Sequence, residues 1–198
     1  MSQAATLTHA DTYEAPLTPG WGKLMMWVFL CSDAMSFAGL LAAYAAVRMG
    51  DSSWPVPASV LDVPLTALNT FILICSSVTM VKALSAIKRG DRRGLALWLL
   101  GTIAGGSIFL GIQAYEWTHL IHHGLTIQTS LFGATFYILT GFHGCHVLSG
   151  VIYLSCILVK GARGGYSPVN NSPVEIAGLY WHFVDLIWIL VFTFVYLI

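Results

Sequence analysis

The stretch Tyr180-Trp181-His182-Phe183-Val184-Asp185 sets an imidazole and a carboxylate three residues apart, inside an apolar run that continues to Ile198. Phe142-His143-Gly144-Cys145-His146 sets two imidazoles three apart in another such run, and Asp33 and Glu116 stand in two more. Residues three apart on a helix share a face. Titratable groups are costly in hydrocarbon unless they are paired or face protein or water. Three chemistries suit such a set. One is hydrogen bonding that fastens helices together. The second is a proton relay. The third is axial ligation of haem by histidines on facing helices at matching depth, for which only His143, His146 and His182 are deep enough.

Depth follows from the helical rise. Counted from one end, Asp33 and Asp185 lie roughly 15 Å in, His182 about 10 Å and His146 about 20 Å. These four are therefore expected to meet in one cluster. Glu116 lies nearer the opposite end, with Gln113 and His119 on its face. Asp33, Glu116, His143, His146, His182 and Asp185 together form the expected buried polar network. His119, His122 and His123 have metal-like spacing, but metal sites usually add a carboxylate or cysteine beside the histidines. They read as wetted rim residues, and no metal site is assigned.

The elements that must position these groups are membrane spans. Of 198 residues, 57% are hydrophobic and 9% charged, against roughly 25% charged in a soluble domain. Five segments reach the roughly 20 apolar residues that cross the hydrocarbon: about 22–48, 63–86, 95–119, 129–160 and 175–197. The expected fold is an all-α integral membrane protein of five transmembrane helices over residues 22–198, preceded by a polar arm at 1–21. Gly101 and Gly105 make a G-x-x-x-G in the third span, which admits another helix closely. The arm residues His9, Asp11 and Glu14 read as solvated groups.

The nine basic residues balance nine acidic ones, so no basic surface points to nucleic acid. Their placement is more informative. Lys23, Lys82, Lys88, Arg89, Arg92, Arg93, Lys160 and Arg163 fall on one side of a five-span chain, and Arg48 alone on the other. The positive-inside rule then puts the N-terminus in the cytoplasm and the C-terminus outside. The start lacks a basic region before its first apolar run, so no cleaved signal peptide is expected. Cys31, Cys75, Cys145 and Cys156 all sit in apolar runs and read as small core residues. Trp181 and Trp188, inside the last run, read as packing, lipid or interface contacts, and Arg48 as a lipid or interface contact.

The segments Phe132-Gly133-Ala134-Thr135-Phe136-Tyr137, Gly141-Phe142-His143-Gly144-Cys145-His146 and Tyr180-Trp181-His182-Phe183-Val184-Asp185 together resemble subunit III of the haem–copper terminal oxidases. The likeness extends to Tyr115-Glu116-Trp117, Pro64-Leu65-Thr66-Ala67-Leu68-Asn69-Thr70, Ser76-Ser77-Val78-Thr79 and Ser32-Asp33, and covers residues 22–198. It is similar to the short, five-helix bacterial form. The resemblance implies an accessory subunit of an aerobic respiratory cytochrome c oxidase, without redox centres of its own. Haem and copper are then expected in partner subunits. The chain would pack directly on subunit I, with subunit II, a subunit IV and a respiratory supercomplex as further associations. It would hold phospholipid and support assembly, proton uptake and sustained turnover in the bacterial inner membrane. Asp33 stands where many cytochrome c oxidase relatives carry glutamate, and in this it resembles the quinol-oxidase branch, as does the five-helix length. Gln113 and Phe142-His143-Gly144 resemble the cytochrome c branch. Both donors stay open at this point. A stand-alone proton channel and a haem-b carrier are the competing readings.

Overall fold

Long apolar runs fold as helices in a bilayer because a helix satisfies its own backbone donors and acceptors where no water can. The computed structural model describes residues 20–198; the arm groups His9, Asp11 and Glu14 lie outside the described residues. The helices are α1 (Trp21–Gly50), α2 (Pro57–Val60), α3 (Val63–Lys88), α4 (Arg92–His122), α5 (Leu131–Ala162) and α6 (Ser172–Phe192), the last continued by a π-helical segment, Thr193–Leu197. All but α2 are long and apolar enough to cross a membrane.

The ends are set by local chemistry. Asp62, Asp91 and Ser130 each accept a hydrogen bond from the backbone N–H three residues on, capping α3, α4 and α5. Such caps satisfy donors that the first turn leaves free. Gly90 and Gly164 carry positive φ angles of 78° and 80° just after α3 and α5, the conformation that ends a helix without a Cβ clash. α4 runs about a turn past the expected 95–119 at both ends, since Asp91 caps it and His123 closes it. The short α2 starts on Pro57, whose fixed φ suits a first helical position.

α3, α4, α5 and α6 pack as a closed ring of four, each touching the next, and α1 leans on the outside against α5 and α6. Half of the α6 span is buried against 17% of α1, so α6 is the central helix and α1 the peripheral one. The G-x-x-x-G lies on the α3–α4 seam. A Cβ on Gly105 would come within 2.7 Å of Ser76 Cβ, and one on Gly101 within 3.5 Å of Thr79. Thr79 and Thr102 share a 2.8 Å hydrogen bond across the same seam.

One expectation is narrowed and one corrected: of the packing, lipid and interface readings of Trp181 and Trp188 the packing one holds, and the cysteines do not lie in the core. Trp181 and Trp188 are 1% and 0% exposed and touch no lipid face. The Trp181 ring fills a slot opened by two glycines: a Cβ on Gly106 would meet it at 2.4 Å and one on Gly150 at 3.0 Å. Their indole N–H groups donate inward, Trp181 to Ser76 Oγ at 3.0 Å and Trp188 to Thr70 Oγ1 at 2.9 Å. A buried indole needs such an acceptor, and α3 provides both. The four cysteines, read as core, are all exposed on the outside of the bundle. In hydrocarbon a small apolar side chain has no reason to turn inward, because lipid is as apolar as the core.

Candidate functional site

The expected network does not form as one body. The structure divides it into three polar groups and one isolated histidine. At the α1–α5 seam, Asp33 Oδ1 lies 3.2 Å from His146 Nε2. His146 Nδ1 meets the Phe142 carbonyl at 2.7 Å. A carbonyl only accepts, so Nδ1 carries a proton. Nε2 is therefore the nitrogen that faces the Asp33 carboxyl group. Phe37 and Phe142 close edge-on over the imidazole, at 5.2 and 4.7 Å between centroids. Behind it, Tyr180 O–H donates to the His146 carbonyl at 3.2 Å and lies 2.6 Å from Ser149 Oγ.

The second group joins α3 to α6. Ser77 Oγ is 2.6 Å from His182 Nδ1 and also lies beside Asp185. His182 and Asp185 share a face, which sets the carboxyl group beside the same hydroxyl, although Asp185 Oδ1 has no hydrogen-bond partner among the described residues. His182 thus binds to α3 with Asp185 beside it, and Asp33 and His146 pair with each other. The third group lies toward the far end, where Glu116 is 5% exposed. Its carboxylate accepts from Thr66 Oγ1 at 3.1 Å, Gln113 Nε2 at 3.0 Å and Tyr196 O–H at 2.9 Å. Two helices, α3 and α4, and the π-helical segment meet in those bonds. His119, also on Glu116's face, turns instead to His123.

His143 belongs to none of these. It is fully buried, and neither ring nitrogen has a hydrogen-bond partner among the described residues. It stacks on Trp188 at 4.9 Å and receives the edge of Phe109 at 5.7 Å. His143, His146 and His182 are each engaged with a different neighbour and do not face one another as an axial pair would. Arg48 is half-buried, and its Nη2 donates to the Ile198 backbone oxygen, tying the end of α1 to the end of the last span.

Ser77, Thr66 and Tyr196 complete these groups, and motif reading passed over them as site residues. A signal for the first two was present. Thr66, Asn69, Thr70, Ser76 and Ser77 repeat at helical spacing along α3, and the first four are buried. An apolar span carrying polar groups on one stripe presents that stripe to other helices. Tyr196 had no such signal, since its reach to Glu116 depends on the π-helical turn.

Among the described residues no group of three or more His, Cys, Asp or Glu is gathered for a metal ion. The arrangement can fasten helices at three places within the bundle.

The sequence model of the family described as cytochrome c oxidase subunit III matches residues 4–198. The chain is 42% identical over 174 residues to cytochrome c oxidase subunit 3 of Corynebacterium diphtheriae, covering 86% of this chain and 85% of that protein. It is 38% identical over 181 residues to cytochrome c oxidase subunit 3 of Thermostichus vulcanus, covering 91% and 89%. It is 34% identical over 174 residues to quinol oxidase subunit 3 of Bacillus subtilis, covering 88% and 85%.

Proposed function

Since the chain belongs to the cytochrome c oxidase subunit III family, the non-catalytic accessory subunits of haem–copper oxidases, we propose that it docks directly on subunit I of a cytochrome c oxidase. There it holds lipid and keeps assembly, proton uptake and turnover stable. Subunit II, a subunit IV and a supercomplex are the wider setting, and the haem and copper reside in the partners. The observation that carries this reading is how the titratable groups are spent. Asp33, Glu116, His146 and His182 are each taken up in bonds between helices of this chain, which suits a support rather than a reaction centre or a through-going proton wire.

Phospholipid fits an outer groove of about 680 Å³ on α5. Val151, Ile152 and Val159 give apolar wall, and Lys160 and Arg163 stand at one end. Acyl chains suit such walls and a phosphate suits the cations. Lys160 Nζ is steadied 5.6 Å over the Tyr166 ring.

The reading includes an orientation. The arm at 1–21 lies in the cytoplasm, the five-helix region at 22–198 sits in the bacterial inner membrane, and the C-terminus is outside. The grouping of eight basic residues on one side supports this. Cytochrome c is the proposed donor, on the stronger likeness to the cytochrome c relatives. Quinol is the second reading, favoured by Asp33 and by the Bacillus subtilis relative.

Stripping this chain from the purified complex tests the function. The remainder should keep its haem while sustained turnover decays faster. Haem lost in proportion to this chain would overturn the proposal. A co-purified partner with a dinuclear-copper domain would fix the donor as cytochrome c, and its absence beside an active oxidase would fix it as quinol.

A further inference from the structure

His119 and His123 stand four residues apart at the end of α4, both exposed, with Nε2 atoms 3.1 Å apart and ring centroids 4.4 Å apart. Tyr115 stacks on the His119 ring at 6.3 Å and fixes its orientation. We propose that these two imidazoles chelate a divalent transition-metal ion, zinc or copper(II), at the membrane end opposite the Lys88–Arg93 loop. Nothing in the oxidase-subunit reading uses them.

The geometry suits the ion. Metal–imidazole bonds of about 2.05 Å reaching both nitrogens across the observed 3.1 Å subtend about 98° at the metal. That falls between the roughly 90° of a square plane and the roughly 109° of a tetrahedron. A single proton bridging two facing nitrogens marks a point where a cation can replace it. The position adds to this. α4 ends at His122, and the His123 N–H caps the His119 carbonyl, so the negative end of the helix dipole lies at the pair and favours positive charge. Water completes the coordination, with room in a cavity of about 570 Å³ that both histidines line with Ser59, Thr129 and Ser130. Imidazole with oxygen donors favours copper(II) over zinc, and either over magnesium or calcium.

The site sits above a second space. A cavity of about 240 Å³ is lined by His119, Asp62, Ser59 and Glu116. A cation on the pair therefore lies at the mouth leading to the buried carboxylate of the third polar group.

The test is equilibrium dialysis of the intact purified complex against Zn2+, with bound zinc counted per complex. Wild type should hold one more zinc than H119A and H123A, or hold it about tenfold or more tighter. Loss of an outer-shell partner alone costs about 10–100-fold, and these are direct ligands. H122A should match wild type, since His122 takes no part in the His119–His123 contact and lines neither cavity. Both paired residues are exposed, and retention of the variant chain in the purified complex checks that the fold is kept. Equal zinc in wild type, H119A and H123A would overturn the proposal. So would loss of the zinc in H122A alone.

Discussion

Asp33 Oδ1 and His146 Nε2, 3.2 Å apart, are the one ionic contact between α1 and α5 among the described residues. α1 is the least covered span, so this contact and the Phe37–Phe142 stack at 4.9 Å carry much of its attachment to α5. Asp33→Ala strands the His146 Nε2 and should cost about 1–3 kcal/mol. Asp33→Asn should cost less. Its amide N–H can donate to a neutral Nε2 while Nδ1 still donates to the Phe142 carbonyl. Glu175→Ala breaks the Lys23 pair at the part-exposed start of α6 and should cost under about 1 kcal/mol. Thermal retention of this chain in the purified complex measures all three, and equal loss in Asp33→Ala and Glu175→Ala would remove the argument.

Trp181 depends on the two glycines beside it. Gly106→Ala places a Cβ 2.4 Å from its Cη2 and 2.8 Å from Val151, with little room to shift. Overpacking of this kind costs about 1–3 kcal/mol. Gly39→Ala on α1 meets nothing within 4 Å and should be neutral or slightly stabilising, because alanine favours helix over glycine by about 1 kcal/mol. Expression and melting of the two variants side by side would show the contrast; matched behaviour would mean the slot is softer than its distances imply.

What the sequence made legible follows from which quantity each inference needed. The five long helices needed only apolar length, and the structure has five such helices. Depth along a span needed only the rise per residue, and Asp33 and His146 do meet. Which residues meet at a given depth depends on rotation about each axis and on which helices are neighbours. Spans that are apolar all round carry little record of rotation. The single cluster therefore divides in two, with Ser77 drawing His182 and Asp185 toward α3. The same lack of record left the tryptophans undecided between core and lipid and the cysteines facing the wrong way. The polar stripe from Thr66 to Ser77, opposite glycines that admit a large ring, was the usable clue to rotation. The π-helical turn that brings Tyr196 to Glu116 has no comparable signature.

Glu116 should rank its own partners. Glu116→Ala leaves Gln113 and Tyr196 without their acceptor, while Thr66 Oγ1 keeps the Asp62 carbonyl at 3.0 Å; buried donors left unpaired cost about 1–3 kcal/mol each. Tyr196→Phe removes one of three bonds and should cost about 0.5–1.5 kcal/mol. Glu116→Gln keeps acceptor capacity at one oxygen and should fall between them. Stability of the complex to mild heating gives the order. A Tyr196→Phe loss as large as that of Glu116→Ala would mean that ring packing against Phe136 and Trp188, rather than the carboxylate, holds the end of the last span.

Orientation can be read chemically. Arg89 lies in the basic turn between α3 and α4, and Gln128 lies in the connection between α4 and α5; both are exposed. The proposed orientation, argued from the excess of Lys and Arg on the Arg89 side, makes that side the cytoplasmic one. In intact cells a membrane-impermeant maleimide should label Gln128→Cys and leave Arg89→Cys unlabelled until the membrane is opened. Cys31, Cys75, Cys145 and Cys156 lie within the spans and set the background, measured on the unmodified chain. The reverse pattern would place the basic turn outside. It would also move the His119–His123 pair to the cytoplasmic face, because α4 carries Arg92 at one end and His122 at the other.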